Sequence, residues 1–169
     1  MFADAVTTVS EKYAQEICEN DEIGAGLSGL LSARKKNLYG IINGIDDHLW
    51  DPASDNFIYR KYDIKSIEAK ADNKRALIQK MSLEPSKDAV LIGSIGRMVS
   101  LKGYDLLAAV MEDILKFDVL FVMLSSGDKD LEKKFEQIQK KHPKKFSLVL
   151  GYDEELAHLI EAGADIFLM

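Results

Sequence analysis

Short apolar runs alternate with helical patterns along the second half of the sequence, and this alternation limits the fold more than any other feature. The runs predicted as strands cover residues 90–95, 119–124, 146–150 and 165–169. The stretches with helical spacing of apolar residues between them cover residues 105–115, 131–142 and 154–162. Such strand–helix–strand units form right-handed crossovers, so the sequence predicts an α/β fold with a parallel sheet flanked by helices.

The segment that joins the first of these strands to its helix carries two cations. Arg97 follows the apolar run, and Lys102 and Gly103 stand just before the predicted helix. Parallel sheets bind ligands beyond the carboxyl ends of their strands, and free N–H groups at a helix start favour an anion. The pattern therefore predicts a diphosphate site, although the spacing alone also fits two solvated surface charges. Neither of the common glycine-rich phosphate motifs is complete in this segment.

Composition and charge narrow the classes of function. The chain of 169 residues is 47% hydrophobic and 30% charged with a net charge of -6, which indicates a folded domain and argues against a nucleic-acid or membrane surface. Cys18 is the single cysteine, so an intrachain disulfide is excluded and a buried thiol is expected. With neither a long apolar run nor a signal-peptide pattern in the sequence, we predict a cytoplasmic protein.

The first half of the sequence is less regular. Strand character appears at residues 5–9 and 38–42, Ser10 is predicted to cap a helix, and a long polar helix is predicted at residues 64–81. The histidines lack metal-ligand spacing with one another or with the cysteine, so no metal site is predicted. His158 lies among glutamates on a predicted helix, where a surface position is expected.

Eight segments together resemble the bacterial glycogen synthases and the plant starch synthases. They occur in the family's order over essentially the whole chain, which makes the set more specific than any one motif. The segments are FADAVTTVS at 2–10, GAGLSGLL at 24–31, GIINGID at 40–46, WDP at 50–52, DNKR at 72–75, RMVSLKGYD at 97–105, GYDE at 151–154 and GAD at 163–165.

This resemblance implies a retaining glucosyltransferase with two facing Rossmann-like lobes, the GT-B type. The family transfers glucose from ADP-glucose to the non-reducing end of an α-1,4-glucan, without a metal or other cofactor. By the same resemblance, residues 1–46 are the end of the N-terminal lobe and residues 47–88 are an inter-lobe linker and helix. Residues 89–169 are then the first half of the C-terminal, nucleotide-sugar-binding lobe. The implied partners are ADP-glucose and glucan, with neither nucleic acid nor membrane.

The resemblance also implies roles for individual residues. Arg97 and Lys102 would contact the donor diphosphate and stabilise the departing ADP, because fixed cations can balance the charge that develops on the leaving group. Tyr152 would stack on the adenine, and Gly151 and Gly127 would leave room for the nucleotide.

Asn43 would reach the donor sugar, although its Asn-Gly turn accounts for this residue nearly as well. Trp50 is interpreted as structural. Ser125 departs from the family, which usually has glycine there.

The sequence stops inside a predicted apolar strand, so we interpret the chain as an internal fragment. Several groups on which the family depends for transfer lie outside these residues, so we expect the chain to be inactive alone. We also expect self-association through the sheet edge that ends at Met169. Two alternatives stay open, namely another two-lobed glycosyltransferase that uses UDP-glucose and a non-catalytic nucleotide-binding module.

Overall fold

The computed structural model describes residues 3–169 and divides into two compact units, Met1–Asp46 and Asp47–Met169. Phe2, the first residue of the motif at residues 2–10, lies outside the described residues. Within the part of the chain that is described, no helix combines the length and the apolar character needed to cross a membrane.

The first unit contains two short parallel strands and two helices. Strand β1 (Val6–Thr8) pairs in parallel with β2 (Leu38–Gly40), and the helices α1 (Glu11–Glu19) and α2 (Ser28–Ala33) lie between them in the chain. Ser10 caps α1 as predicted, because its hydroxyl oxygen accepts a hydrogen bond from the N–H of Tyr13 at 3.1 Å. The thiol of Cys18 is buried, which confirms that expectation.

A parallel sheet organises the second unit, and helices cover both of its faces. Its four strands lie in the order β5, β4, β3, β6, which confirms the predicted α/β fold class. The strands are β3 (Val90–Met98), β4 (Val119–Gly127), β5 (Phe146–Leu150) and β6 (Ile166–Phe167). The helices are α3 (Lys70–Lys80), α4 (Tyr104–Ile114), α5 (Lys129–Lys141) and α6 (Glu154–Gly163).

Both central strands are longer than their apolar runs. β3 and β4 stay paired up to the contact of Met98 with Gly127, so Arg97 and Gly127 lie on strands rather than in the predicted loops. Pairing between neighbouring strands maintains the backbone hydrogen bonds there, although most of the side chains other than that of Met98 have become polar or small. The long helix predicted at residues 64–81 is also shorter, because a 3-10 turn (Ile67–Ala69) precedes α3.

The core has one layer on each face of the sheet, and β4 contributes to both. Leu120 and Val122 point into the layer that α3 and α6 cover, whereas Phe121 and Met123 point into the layer beneath α4 and α5. This burial on both faces explains why the strand reads as a continuous apolar run. Full burial of each such side chain stabilises the fold by about 1.5–3 kcal/mol, so the two layers fix the strand ends that carry the polar residues.

Candidate functional site

A cleft of about 370 Å³ opens at the carboxyl ends of β3, β4 and β5. Arg97 lines it from β3, Gly151 and Tyr152 line it from the loop after β5, and Ala157 lines it from α6. Gly151 has φ 126, a backbone conformation that glycine adopts without the steric cost of a side chain. The structure therefore brings together three of the residues predicted as a nucleotide site, although they lie far apart in the sequence.

Lys102 lies in an adjoining cleft of about 450 Å³, which shares Ile95 and Gly96 with the first. It ends a 3-10 turn (Ser100–Lys102), and Gly103 then turns the chain into α4 with φ 78. This left-handed residue allows the abrupt turn and places the lysine two residues before the helix starts. The two cations predicted to contact a diphosphate thus lie in neighbouring clefts at the same edge of the sheet.

The starts of the three helices at this edge differ in how they are capped. Asp128 caps α5 by accepting hydrogen bonds from the N–H groups of Asp130 and Leu131, and Asp153 caps α6 in the same way through Leu156. At α4 the capping residue is Gly103, which offers no side chain to the first N–H groups. Because uncapped N–H groups at a helix start attract anions, α4 is the helix best suited to face a phosphate.

Gly127 lies opposite Met98, at the last residue pair of β3 and β4. A Cβ atom at this position would stand 2.3 Å from the carbonyl oxygen of Met98, so no larger residue fits without moving the backbone. The Gly127 N–H donates a hydrogen bond to Oε1 of Glu132 at 2.9 Å. These contacts account for a glycine here by strand packing, and the predicted role of Gly127 toward a nucleotide stays a prediction.

The serine that departs from the family pattern fits the sheet through a hydrogen bond. Ser125 is buried, and its hydroxyl group donates to the carbonyl oxygen of Gly96 across the strand pair at 2.7 Å. Gly96 lines both clefts, so this hydrogen bond fixes the backbone between the two clefts to β4.

Asn43 belongs to the first unit, where it is exposed in the segment that follows β2. Its predicted contact with the donor sugar stays a prediction.

The expected surface position of His158 is wrong, because its side chain is buried with only 1% of the residue exposed. Its Nδ1 atom lies 2.7 Å from Oδ2 of Asp55, and its ring stacks on Trp50 with the ring centroids 3.7 Å apart. The partners lie about a hundred positions away in the sequence, so the helical pattern around the histidine could not reveal them. The available signal was the distant Trp-Asp-Pro motif at residues 50–52, whose tryptophan, interpreted as structural from the sequence, stacks on the histidine.

Burial and nearby charges shift the pKa values of two further groups close to this histidine. Burial and the carboxylates of Asp55 and Glu161 raise the pKa of Tyr62. Burial raises the pKa of Glu161, and the positive charge of Lys70 partly offsets that effect. Among residues 3–169 no cluster of three or more histidine, cysteine, aspartate or glutamate side chains is arranged to hold a metal ion.

Comparisons with known proteins point to one family. The family described as the starch synthase catalytic domain matches residues 1–33. Glycogen synthase 1 of Methylococcus capsulatus is 47% identical over 169 residues, which is 100% of this chain and 34% of that protein. The glycogen synthase of Thermotoga maritima is 44% identical over 100% of this chain and 35% of its own length. The chain thus spans about a third of the length of these relatives.

A solved structure shows the same fold. The catalytic domain of starch synthase IV from Arabidopsis thaliana, described as bound to ADP and acarbose, superposes with a TM-score of 0.89 and 36% sequence identity. The match covers 98% of this chain and 34% of that chain. The parallel sheet with its flanking helices therefore has the fold of part of that catalytic domain.

Proposed function

We propose, since the chain belongs to the glycogen and starch synthase family, that it supplies part of the donor site of a retaining glucosyltransferase. The reaction moves glucose from ADP-glucose to the non-reducing end of an α-1,4-glucan. The observation that carries this proposal is the meeting of Arg97, Gly151 and Tyr152 in one cleft, with Lys102 in the adjoining cleft. The printed description of starch synthase IV, bound to ADP, supports an adenine nucleotide as the ligand.

The two cations would act on the diphosphate of the donor. Arg97 offers a planar fork that can hold two phosphate oxygens, and Lys102 offers a compact point charge beside the uncapped start of α4. When the bond to glucose breaks, negative charge accumulates on the departing ADP. Cations that are already fixed at the sheet edge stabilise that charge without reorganising, and this lowers the barrier to transfer.

Tyr152 would bind the base. Its side chain stands 89% exposed at the mouth of the cleft, so one face of the ring is free to stack on an adenine. Gly151 leaves the backbone beside the ring uncovered, and Gly127 keeps the ends of β3 and β4 close together. Asn43 would contact the donor sugar from the first unit.

The same proposal divides the chain into functional parts. Residues 1–46 would belong to the lobe on the acceptor side, residues 47–88 would form the inter-lobe linker and helix, and residues 89–169 would begin the nucleotide-sugar lobe. ADP-glucose and the glucan would then be the partners of the protein.

ADP binding measured by isothermal titration calorimetry tests the proposal. We expect Arg97→Ala and Lys102→Ala each to weaken ADP binding about tenfold or more, since a hydrogen bond to a charged group contributes about 1.5–3 kcal/mol. Lys134→Ala is the matched control, because it removes one exposed positive charge on α5 and leaves the clefts intact. Unchanged ADP affinity in both cleft variants, or no binding by the wild-type chain, would contradict the proposal.

A further inference from the structure

A cluster around the buried ring of His158 joins the segment at the start of the second unit to the helix behind the nucleotide loop. Trp50, Asp55 and His158 form this cluster, which we call the clasp. The imidazole ring lies parallel to the indole ring, with 2° between their planes, and Phe57 covers it from another side at 4.8 Å. The clasp therefore holds residues of the segment against α6 by stacking and by one directed hydrogen bond.

The hydrogen bonds of the clasp define which groups donate. Asp55 accepts the N–H of Phe57 at 2.8 Å with Oδ1 and faces Nδ1 of His158 at 2.7 Å with Oδ2. Since the ionised carboxylate can only accept, Nδ1 of the histidine carries the donated hydrogen. The other ring nitrogen, Nε2, is buried and has no hydrogen-bond partner among residues 3–169.

Because of that unpaired nitrogen, a histidine at this position stabilises the fold less than an apolar side chain of similar size would if packing were its only role. A buried polar atom without a partner costs about 1–3 kcal/mol, and an apolar side chain in the same place would avoid this cost. What the imidazole provides, and an apolar side chain cannot, is a bond of fixed direction to Asp55. The directed bond to Asp55, rather than the burial of surface, is therefore what distinguishes a histidine from an apolar residue at this point of α6.

α6 is confined on several sides and borders the nucleotide cleft. Ala157 lines the cleft, and the next residue, His158, enters the clasp. Beneath the helix, a Cβ atom on Gly93 would stand 2.5 Å from Cγ2 of Ile160, so α6 packs against β3 at a place where no larger side chain fits without a shift. The cap of the helix is Asp153, which also lines the cleft directly after Tyr152. A rotation of α6 would therefore move the loop that carries the tyrosine.

We infer that His158 is a positioning residue for the nucleotide site, holding α6 and its preceding loop through the clasp so that Tyr152 faces the bound base. The inference rests on the proposed function for the identity of the ligand. It adds a link between the start of the second unit and the nucleotide loop, because the clasp joins Trp50 to the helix. Nucleotide binding at the loop should accordingly change the environment of the Trp50 ring.

Hydrogen exchange of the ligand-free chain tests the positioning itself. His158→Asn places an amide N–H close to the position of Nδ1, whereas His158→Gln places its amide too far along the side chain to reach Asp55. We expect His158→Gln to speed exchange of the amides at residues 151–157 about tenfold or more, and His158→Asn to restore much of the protection.

A variant on the opposite face of the sheet separates positioning from general loss of stability. Ile138→Ala removes buried side-chain volume from α5 in the other core layer. We expect it to lower the thermal midpoint while leaving exchange at residues 151–157 as in the wild type, measured well below that midpoint. Equal exchange at those residues in His158→Gln and Ile138→Ala would overturn the inference.

The fluorescence of Trp50 tests the link to the ligand, since this is the single tryptophan of the chain. ADP titration should change the emission of the wild-type protein and of Ile138→Ala. In His158→Gln the emission change should be lost, and the ADP dissociation constant should rise about fivefold or more. Equal ADP affinity in His158→Gln and the wild type would refute the positioning role. If the wild-type chain fails to bind ADP, the proposed function fails, and the exchange experiment alone decides whether the clasp orients the loop.

Discussion

Tyr152 and Arg97 offer different chemistry to the same cleft. The arginine is the last residue but one of β3, a strand covered on both faces of the sheet, whereas the tyrosine stands exposed on a short loop. The side chain that we propose for the diphosphate is thus held by the paired strands of the sheet, and the side chain that we propose for the base depends on the helix that follows it. This difference lets mutation of the tyrosine affect ligand binding with little effect on folding.

Replacing Tyr152 separates base stacking from the other contacts. We expect Tyr152→Ala to weaken ADP binding about tenfold, because stacking of a base on an aromatic ring contributes about 1–3 kcal/mol. Tyr152→Phe keeps the ring and should bind ADP almost as the wild type does. Calorimetric titrations with ADP and UDP measure both effects, and thermal midpoints should stay unchanged. Equal or tighter binding of UDP by the wild type would contradict the adenine assignment and favour a UDP-glucose donor.

The sequence indicated that Arg97, Gly151 and Tyr152 lie at one edge of the sheet, but it did not reveal the clasp. Arg97, Gly151 and Tyr152 were predictable because parallel strands bring their carboxyl ends to one edge. His158 was not, since its environment is made by Trp50 and Asp55, which the fold brings from a distant part of the chain. Periodicity within a helix reports which side faces the core, and it carries no information about a polar partner across the core.

Elements were easier to predict than their ends. The boundaries predicted for the strand at residues 146–150 agree with β5, because its apolar run coincides with its pairing to β4. For β3 and β4 the pairing continues past the apolar run, and the strand ends are set by the neighbour rather than by the local sequence. The residues placed in the wrong element, Arg97 and Gly127, are those of this paired but non-apolar extension.

The start of α5 carries a pH-dependent contribution to stability. Glu132 is buried there, and hydrogen bonds from Nζ of Lys129 at 2.7 Å and from the N–H of Gly127 at 2.9 Å stabilise its charged form. These bonds hold the pKa of Glu132 below its usual value of 4.5. Because the pKa is lower in the folded than in the unfolded state, the contribution is fully present above that value and is lost as the pH falls through the folded pKa.

Glu132→Gln should therefore reduce the dependence of the free energy of unfolding on pH in the acid range, which we call the acid limb. We expect the variant to be less stable than the wild type at about pH 7 and to lose less free energy of unfolding on acidification below about pH 4.5. Urea denaturation at a series of pH values measures this difference. Glu136→Gln, an exposed change on the same helix, is the control and should leave the acid limb as in the wild type. Parallel profiles for Glu132→Gln and the wild type would contradict the prediction.

At the scale of the whole molecule, the second unit presents an apolar face beside its shortest strand. β6 pairs with β3 through only two residue pairs. Beside it, Leu168 and Met169 form one side of the cleft whose other side is α4. On that helix Leu106 is 70% exposed, and Val110 is also exposed. Edge strands with exposed apolar neighbours are templates for association, because their free backbone groups can pair with another chain.

We propose that two copies of the chain associate through this face of β6 and α4. Sedimentation velocity over a range of concentrations should show a reversible shift from monomer to dimer. Ile166→Lys and Val110→Lys should each move the shift to higher concentration, since a buried lysine without a partner opposes the contact. Ile64→Lys is the matched control, because it adds the same charge at an exposed apolar residue that lies outside this face. A wild-type chain that stays monomeric at every concentration, or a dimer that Ile64→Lys weakens as much as Ile166→Lys does, would show that the face does not mediate association.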